Sequence, residues 1–441
     1  MRKIIILLTL ILSLNVFSQE QLNFALVEKK TYDYYLSGGW VALIDLGNKA
    51  IKADIDYYYL NYRMGIAYYQ VNKYMLSAYF FEKALNQNSG AYDDSLLVST
   101  LYLDYIYSKN FTKAEGIKSH HSDKDIANLK FIKPVSSLYF EGGSSFSDDI
   151  STKAYQERKY YFYKQIDLFK KMNYYSADIQ GYILPNLKYQ VAFSGLQIER
   201  YKFYKEIPDT FEQNFTLYQN YFFLGLNYSF DKFYIKPAFN LVSYQSNELN
   251  IVAKDSIINR NIYDTISQKA NDFVASIEAG INYKNIKAGL AFSFSNILQG
   301  KQFQLATDFI YFPNGNFDTY LTSQISGLWE NGVSYMIVKQ KIGMKLTDFL
   351  WSELSLTVGN LTNYNSNNGY YVYNTRDNLK SIAGLNFIIL LSKHLEMNIV
   401  FQNLLKENYM LSYPNTLNQT IEKTNYYFQQ LNIIGGIKWT F

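Results

Sequence analysis

The spacing of apolar residues changes near Pro134, and this change predicts two structural units. Between residues 19 and 133, apolar residues recur at helical spacing. From residue 134 to residue 441, apolar and polar residues alternate in segments of about ten, separated by turn residues or polar stretches. We therefore expect an α+β multidomain chain, with a helical domain over 19–133 and an antiparallel strand array over 134–441.

The final strand shows the alternation most clearly. One face carries Leu431, Ile433, Gly435, Ile437, Trp439 and Phe441, and the other carries Asn432, Ile434, Gly436, Lys438 and Thr440. Such a strand suits lipid on one side and water on the other, which makes Lys438 a candidate lumen residue. The aromatic ending, Trp439 and Phe441, resembles the C-terminal signal by which outer-membrane barrels are recognised for assembly.

Short and long connections between the strands alternate along the chain. Short turns are expected near residues 185, 231, 284, 313–316, 347–349 and 392–394. At the other end, longer polar connections are expected near 146–160, 199–214, 245–270, 361–377 and 406–425, and shorter ones near Gln299–Gly300 and Asn331–Gly332. Transmembrane barrels keep short turns in the periplasm and long loops outside. The pattern predicts a transmembrane β-barrel of about 14 strands, or alternatively about 12 or 16, because residues 155–184 hold one long strand or more.

One region of the helical domain resembles the tetratricopeptide repeat, a helix-turn-helix of about 34 residues. The resemblance is carried by Met64, Gly65, Tyr68, Tyr74, Ser77, Phe81 and Ala84, with weaker copies at Tyr34, Trp40 and Ala50 and at Tyr105, Phe111 and Ala114. In such repeats small residues let paired helices approach closely, and aromatic residues fill the gaps between hairpins. The resemblance implies a short solenoid whose groove binds a peptide or partner domain. The alternative is that it only packs against the barrel mouth.

The composition suits a protein at a boundary between water and lipid. The chain has 44 Tyr and 31 Phe but 4 Trp, and tyrosine favours such a boundary. Lys and Arg total 42 against 38 Asp and Glu, so we expect outer-membrane lipid rather than nucleic acid as a partner. Cysteine is absent, which excludes disulfides, thiolate metal sites and a lipidated cysteine.

Residues 1–18 have the pattern of a secretory signal peptide. Arg2 and Lys3 precede an apolar run over 4–14, and a small-residue cleavage site follows. An uncleaved anchor is the alternative, but the run is shorter than the roughly 20 apolar residues that a spanning helix needs. Export together with a barrel predicts the outer membrane as the location, with the domain over 19–133 in the periplasm.

The sequence offers no catalytic or metal site, and we expect neither enzyme activity nor a cofactor. The barrel region contains one histidine, His394, in a predicted periplasmic turn, whereas acyl-transfer sites combine histidine with a nucleophile and an acidic residue. His120 and His121, with Asp123 and Asp125 beside them, fall where the last helix is expected to end. That position favours a solvated linker over a metal site.

Candidate lumen residues come from the predicted strand over 338–346. Lys339, Lys341 and Lys345 share one face, opposite the apolar residues Val338, Ile342, Met344 and Leu346. Three ammonium groups should therefore point inward, where such a row would guide an anionic substrate. The alternative is ion pairing across the hairpin, with Glu353 expected nearly opposite Lys345 and no comparable partner for the other two lysines.

The order of the domains, helical repeats before an outer-membrane barrel, resembles the exopolysaccharide-export outer-membrane porins. This resemblance implies that the repeats gather a periplasmic or outer-membrane protein partner, while the barrel is the conduit for export or transport. Two alternatives are a non-conducting subunit of a secretion or assembly complex and a simple uptake channel. A plugged lumen would favour the anchored subunit, and an open polar lumen would favour transport.

Overall fold

The computed structural model describes residues 22–118, 131–149, 163–206, 209–255, 260–297, 300–413 and 420–441. The chain separates into two compact units, one formed chiefly by the residues up to Leu129 and the other chiefly by the residues from Lys130. The expected signal peptide and the segment with His120 and His121 lie outside the described residues.

Six α-helices make up most of the described part of the first unit. They are α1 (Phe24–Ser37), α2 (Trp40–Lys52), α3 (Tyr58–Gln70), α4 (Tyr74–Gln87), α5 (Ser95–Tyr107) and α6 (Phe111–Ile117), with a short 3-10 helix at Ser89–Asp93. The side chains of Asn23, Asp94 and Asn110 accept hydrogen bonds from the first-turn amides of α1, α5 and α6, which stabilises these helix starts. Within the described ranges, no helix is long and apolar enough to cross a membrane.

The hairpin of α3 and α4 packs closely at Gly65. A Cβ added at this position would lie 2.7 Å from the Phe81 ring, so the close contact requires a residue without a side chain. Phe81 and Ala84 are fully buried, and Tyr68 is nearly so. Tyr74 is the first residue of α4, and its ring packs against the Tyr107 ring of α5, with the ring centres 4.6 Å apart. The residues that carry the repeat resemblance thus pack this hairpin, whereas their part in a binding groove stays a prediction.

Fourteen antiparallel strands close into a barrel, which confirms the predicted fold class and strand number. The wall strands are β1 (Ser137–Ser147), β2 (Tyr163–Leu184), β3 (Leu187–Glu206), β4 (Asp209–Phe230), β5 (Phe233–Asp255), β6 (Arg260–Tyr283), β7 (Ile286–Ser295), β8 (Gln302–Tyr311), β9 (Thr319–Glu330), β10 (Val333–Thr347), β11 (Leu350–Val358), β14 (Asn378–Leu390), β15 (Leu395–Tyr413) and β16 (Glu422–Thr440). Two short strands, β12 (Asn365–Ser366) and β13 (Tyr371–Val372), pair only with each other. The barrel closes where β1 pairs with β16, from Ser137 opposite Thr440 to Ser147 opposite Gln430.

Apolar side chains cover the outside of the barrel. On β7, Leu290 and Phe292 are 59% and 46% exposed, whereas the inward Ser293 is 6% exposed. On β16, Ile437 and Trp439 face outward in the same way. A closed barrel with an apolar outer face is the architecture that crosses a bilayer with strands. The chain therefore has an outer-membrane β-barrel fold preceded by a helical segment.

The two ends of the barrel differ in their connections. Two-residue turns such as Pro185–Asn186 and Lys284–Asn285 lie at one end, together with the start of β1 and the end of β16. We call this the turn end, and the opposite one the loop end. Successive connections lie at alternate ends of the barrel and the strand number is even, so both termini of the barrel segment lie at the turn end. The predicted contrast in length holds only in part, because Asn331–Gly332 is a two-residue turn at the loop end and residues 312–318 form a seven-residue connection at the turn end.

Several predicted loops are strands. β3 and β4 continue to Glu206 and from Asp209, and β5 and β6 continue to Asp255 and from Arg260, although residues 199–214 and 245–270 are polar enough to predict loops. Polar residues on both faces do not prevent a strand, because the neighbouring strand satisfies its backbone hydrogen bonds. Long strand arms therefore form the loop end.

Arms that are not neighbours in the wall meet at the loop end. Residues 411–413 of β15 pair with residues 163–165 of β2. The rings of Tyr163 and Tyr413 stack there with their centres 5.1 Å apart. Ile166 and Leu168 on the same arm of β2 are 1% and 0% exposed. β2 and β15 are thus joined at the loop end, although β1 and β16 lie between them in the wall.

We predict that Gly65→Leu destabilises the helical unit by about 1–3 kcal/mol, because the new side chain must displace the Phe81 ring. Thermal and urea unfolding of a fragment spanning residues 19–133 would measure this. Gly116→Leu is the matched control, since a Cβ added at Gly116 meets nothing within 4 Å. Equal melting temperatures for wild type and Gly65→Leu would contradict the packing described for α3 and α4.

A buried carboxyl in α5 makes the stability of the helical unit depend on pH. Asp104 is 0% exposed, and burial raises the pKa of its carboxyl well above the usual value. A raised pKa in the folded state means that this group favours folding at low pH. This stabilisation is lost as the pH rises, because the Asp104 carboxyl must then either lose its proton inside the core or stay protonated, and both cost free energy of folding.

We therefore predict that Asp104→Asn raises the unfolding midpoint at pH 7 and that the gain shrinks toward pH 4. Midpoints of the same fragment across this pH range would show it. Asp45→Asn is the control, because Asp45 is exposed and pairs with Lys49 on the surface. A gain that does not change with pH would contradict ionisation as its cause.

Candidate functional site: the barrel lumen and its inward loop

Residues 359–377, between β11 and β14, fold into the barrel lumen. The turn begins at Gly359, where φ is 137° and an added Cβ would lie 2.6 Å from the Met336 carbonyl oxygen. Only glycine allows this path. β12 and β13 then form a small hairpin whose tip, Asn367, Asn368 and Gly369, has φ values of 51°, 56° and 81°. The expectation of an outer loop over 361–377 is therefore wrong. We call residues 359–377 the inward loop.

Amide side chains of β8 hold one side of the inward loop. Gln302 Nε2 donates to the Asn363 carbonyl at 2.8 Å, and Gln304 Nε2 donates to the Asn365 carbonyl at 2.7 Å. The Asn365 amide donates back to Gln304 Oε1 at 3.2 Å. These bonds replace water for the loop backbone. They explain why so polar a segment lies inside the barrel.

Strands β6 and β5, two and three strands from β8 in the wall, hold the tip of the inward loop. Asn240 Nδ2 of β5 donates to the Gly369 carbonyl at 2.8 Å, and Ser276 Oγ of β6 donates to the Asn368 carbonyl at 2.7 Å. The Asn368 side chain in turn donates to the Lys236 carbonyl at 2.8 Å. The loop is thus held along one side of the lumen, by β8 and by β5 and β6.

Buried ion pairs fix the end of the inward loop. Asp377 accepts hydrogen bonds from Arg200 Nη1 and Nη2 at 2.9 and 2.8 Å, and Lys406 Nζ lies 3.6 Å away. The side chains of Arg200 and Asp377 are 3% and 1% exposed. Arg376 next to Asp377 pairs with Glu248. Ion pairs therefore join the loop to β3, β5 and β15, and those of Asp377 with Arg200 and Lys406 have little access to water.

A cavity of about 1550 Å³ runs beside the inward loop. Its lining includes Lys188 and Asn227, close to the turn end, and Gln165, Glu248 and Gln268 on the strand arms of the loop end. The lumen is therefore neither open across its full section nor filled. The cavity therefore extends along the inward loop between levels near both ends.

The cavity lining combines aromatic, amide and apolar side chains. Its tyrosines are Tyr174, Tyr189, Tyr221, Tyr234, Tyr244, Tyr370, Tyr371, Tyr373 and Tyr409. Its apolar wall includes Phe169, Leu196, Ile198, Leu217 and Phe223. Tyrosine offers both a ring face and a hydroxyl. A solute with polar and apolar parts would find partners for both along this wall.

The predicted lumen lysines of β10 lie on its inward face. Lys339 Nζ is 3.2 Å from Asn367 Oδ1 and 3.3 Å from Ser366 Oγ at the loop tip. Lys341 Nζ is 3.2 Å from Glu353 Oε1. Both lysines line the cavity. The structure thus brings them to the inward loop, a neighbour that the sequence did not predict.

The expected pairing of Lys345 with Glu353 is wrong. Lys345 lies opposite Trp351 and forms an ion pair with Asp348 at 2.8 Å, whereas Glu353 lies opposite Gly343. The turn contains only the two residues between Thr347 and Leu350, and a bulge follows Lys345. This shorter turn shifts the register, so that Glu353 meets Lys341 and the Tyr320 hydroxyl instead.

The remaining predicted residues of β16 lie at the turn end. Lys438 faces inward and its Nζ lies 4.0 Å from Glu396, outside the cavity lining. Trp439 faces outward and stacks on His394, with ring centres 5.9 Å apart. Phe441 is 46% exposed, and its amide donates to the Ser136 carbonyl at 3.1 Å. Their part in assembly stays a prediction.

Further charged residues also line the cavity, among them one from each of the strands β5, β6, β7 and β8. These four are Lys236, Glu278, Lys287 and Asp308. Each occupies an inward position of a strand whose outward positions are apolar, and following the alternation past β10 to these strands would have found them. Within the ranges that the structure describes, no three His, Asp or Glu side chains are grouped so that they could hold a metal ion.

Comparison with known proteins adds little to this geometry. No protein-family model and no curated protein matches the chain. Among solved structures it resembles the Pseudomonas putida toluene transporter TodX, with 9% identity over 69% of this chain and 90% of that one and a TM-score of 0.44. A Pseudomonas aeruginosa FadL homologue shares 8% identity over 74% and 92%, with a TM-score of 0.46. A bacterial polysaccharide outer membrane secretin shares 9% identity over 70% of this chain and 99% of that one, with a TM-score of 0.35. The barrel assignment therefore rests on the strand pairing itself.

We predict that Asp377→Ala releases the inward loop from β3 and β15. The substitution leaves Arg200 and Lys406 as buried cations without their shared carboxylate, a change that costs about 3–5 kcal/mol at buried pairs. Hydrogen exchange of the amides over 361–376 should become faster. Glu199→Ala is the control, because Glu199 pairs with the half-exposed Lys171. Unchanged exchange in Asp377→Ala would show that the ion pairs do not hold the loop.

Proposed function

We propose that this protein is an outer-membrane transport barrel through which a solute passes along the lumen, beside the inward loop. The apolar outer face supports insertion in a bilayer, and the alternating turns support a turn end in the periplasm. The observation that carries the proposal is the cavity of about 1550 Å³, lined by residues from near the turn end to the arms of the loop end. A barrel that served only as an anchor would not need such a passage.

The inward loop gives this passage its selectivity in our proposal. Loops that narrow a barrel limit the size of a solute and add polar groups to its path. Loop residues from Thr362 to Asp377 contribute much of the cavity lining. A solute therefore meets the loop and the wall together. Movement of the loop would widen the path without breaking the barrel ladder.

One observation favours the second candidate, a non-conducting subunit anchored in the membrane. Buried ion pairs and amide hydrogen bonds tie the inward loop to opposite walls. A loop that never moves would leave too narrow a path for a large substrate. In that case the helical unit, through its repeat-like groove, would dock a periplasmic or outer-membrane partner while the barrel holds it at the membrane.

The two candidates differ in conductance. We predict that purified wild-type protein conducts ions in planar bilayers, and that replacing residues 361–376 with a short Gly-Ser linker raises the conductance several-fold, because the linker cannot occupy the lumen. The same linker inserted in the Asn331–Gly332 turn is the control, since a Cβ added at Gly332 meets nothing within 4 Å. No conductance from either the wild type or the loop replacement would exclude transport and leave the anchored subunit.

A further inference from the structure

Seven charged side chains lie together on the inward faces of strands β5 to β11, beside the tip of the inward loop. They are Lys236, Glu278, Lys287, Asp308, Lys339, Lys341 and Glu353, and all of them line the cavity. We call this set the basic cluster, because its four lysines outnumber its three carboxylates. Strand pairing keeps it contiguous, since Lys236 lies opposite Glu278 and Gln324 lies opposite both Asp308 and Lys339.

Two lysines of the basic cluster have carboxylate partners. Lys236 Nζ lies 2.8 Å from Glu278 Oε1, and Lys341 Nζ lies 3.2 Å from Glu353 Oε1. Asp308 accepts a hydrogen bond from Gln324 Nε2 at 2.9 Å. In the described part of the chain, Lys287 and Lys339 form no ion pair with any carboxylate. The cluster therefore carries one positive charge more than its carboxylates balance.

The two ammonium groups without an ion pair contact neutral groups, and Lys287 also lies beside the ammonium group of Lys236. Lys287 Nζ lies 4.5 Å from the centre of the Tyr234 ring, which also has Lys236 Nζ 4.6 Å from its centre. Lys339 Nζ has Asn367 Oδ1 at 3.2 Å and Ser366 Oγ at 3.3 Å. An ionised acceptor stabilises an ammonium group more strongly than a ring, an amide or a hydroxyl does. The cluster is thus incomplete without an anion.

The position of Asn367 indicates where the anion would bind. Its amide oxygen is the acceptor nearest to Lys339 among the contacts of that lysine, and it belongs to the hairpin tip of the inward loop. Both hydrogen bonds of Lys339 are longer than charge-assisted bonds usually are, about 2.7–2.9 Å. An anionic oxygen in place of Asn367 Oδ1 would improve the hydrogen bonding of Lys339 and neutralise the cluster.

We propose that the basic cluster binds an anionic group of a solute in the lumen, a phosphate, sulfate or carboxylate. Lys339, at the tip of the inward loop, and Lys287, beside Lys236, supply the positive charge that this group neutralises. The use of this site in transport rests on the proposed function, but binding itself does not require conduction. The site also differs from the row of lysines on β10, because Lys341 and Lys345 are held by their own carboxylates.

Isothermal titration of the full-length protein in mild detergent with inorganic phosphate tests this site. The wild type should bind phosphate saturably, one per chain, and Lys287→Met with Lys339→Met should weaken binding about tenfold or more. Lys438→Met is the matched control, since Lys438 also faces the lumen but lies outside the basic cluster. Lys339→Arg should retain binding, because it keeps the charge and the donors.

The double variant is informative only when folded, so heat-modifiable gel migration and the Lys339→Arg result accompany it. Titrations with sodium sulfate and sodium acetate then identify the class. A preference for phosphate and sulfate indicates a tetrahedral oxyanion and a preference for acetate indicates a carboxylate, and either supports the site. No saturable binding of any of the three anions to the wild type, or equal binding to wild type and double variant, overturns it.

Conductance separates this site from the proposed function. Binding without conductance in planar bilayers keeps the anion site and excludes transport. Conductance without binding keeps transport and excludes the anion site.

Discussion

The pairing of β1 with β16 is the constraint on which the rest of the structure depends. A barrel in lipid must satisfy every backbone donor and acceptor within its own ladder, because no water is present to do so. Closure by eleven facing residue pairs, from Ser137 with Thr440 to Ser147 with Gln430, also sets which residues face inward. A slip of one residue would turn Glu141 and Lys438 to lipid and Phe140 and Ile437 to the lumen. The closed register therefore separates the apolar outer face from the polar lumen.

The polar lumen in turn makes room for the inward loop. Its backbone would be costly to bury against apolar side chains, since each unpaired group loses hydrogen bonds to water. Gln302, Gln304 and Asn240 supply those bonds from the wall, and Arg200 supplies the ion pair for Asp377. What remains is a passage along the loop rather than a wide pore. Binding residues are often carried by loops on a rigid scaffold. The basic cluster lies beside the tip of the inward loop.

The strand array and the sides on which its residues lie could be predicted from sequence, because a period of two is a local property. The alternation over 338–346 is enough to place Lys339 and Lys341 on the inward face.

The inward loop could not be predicted, since a segment rich in Asn and Tyr is equally suited to bulk water and to a lumen lined with amides. The partner of Glu353 depends on a two-residue turn, and an error of one residue in that turn changes the pair. The same alternation predicts the inward positions of Lys287 and Asp308, but only the strand register shows that Asp308 lies in one row with Gln324 and Lys339. The repeat resemblance predicts the helices and the tight contact at Gly65, whereas a groove for a partner depends on contacts that sequence spacing does not specify.

The central claim is that one passage beside the inward loop joins both ends of the lumen. The chain contains no cysteine, so single thiols can be introduced at Asn227, near the turn end, and at Gln268, on the arms of the loop end, both of which line the cavity. A small charged thiol reagent added to one side of a planar bilayer should lower the conductance of both Asn227→Cys and Gln268→Cys. If the reagent reaches each thiol only from the nearer side, or leaves the conductance of both variants unchanged, the passage does not exist and the account of the lumen given above is contradicted.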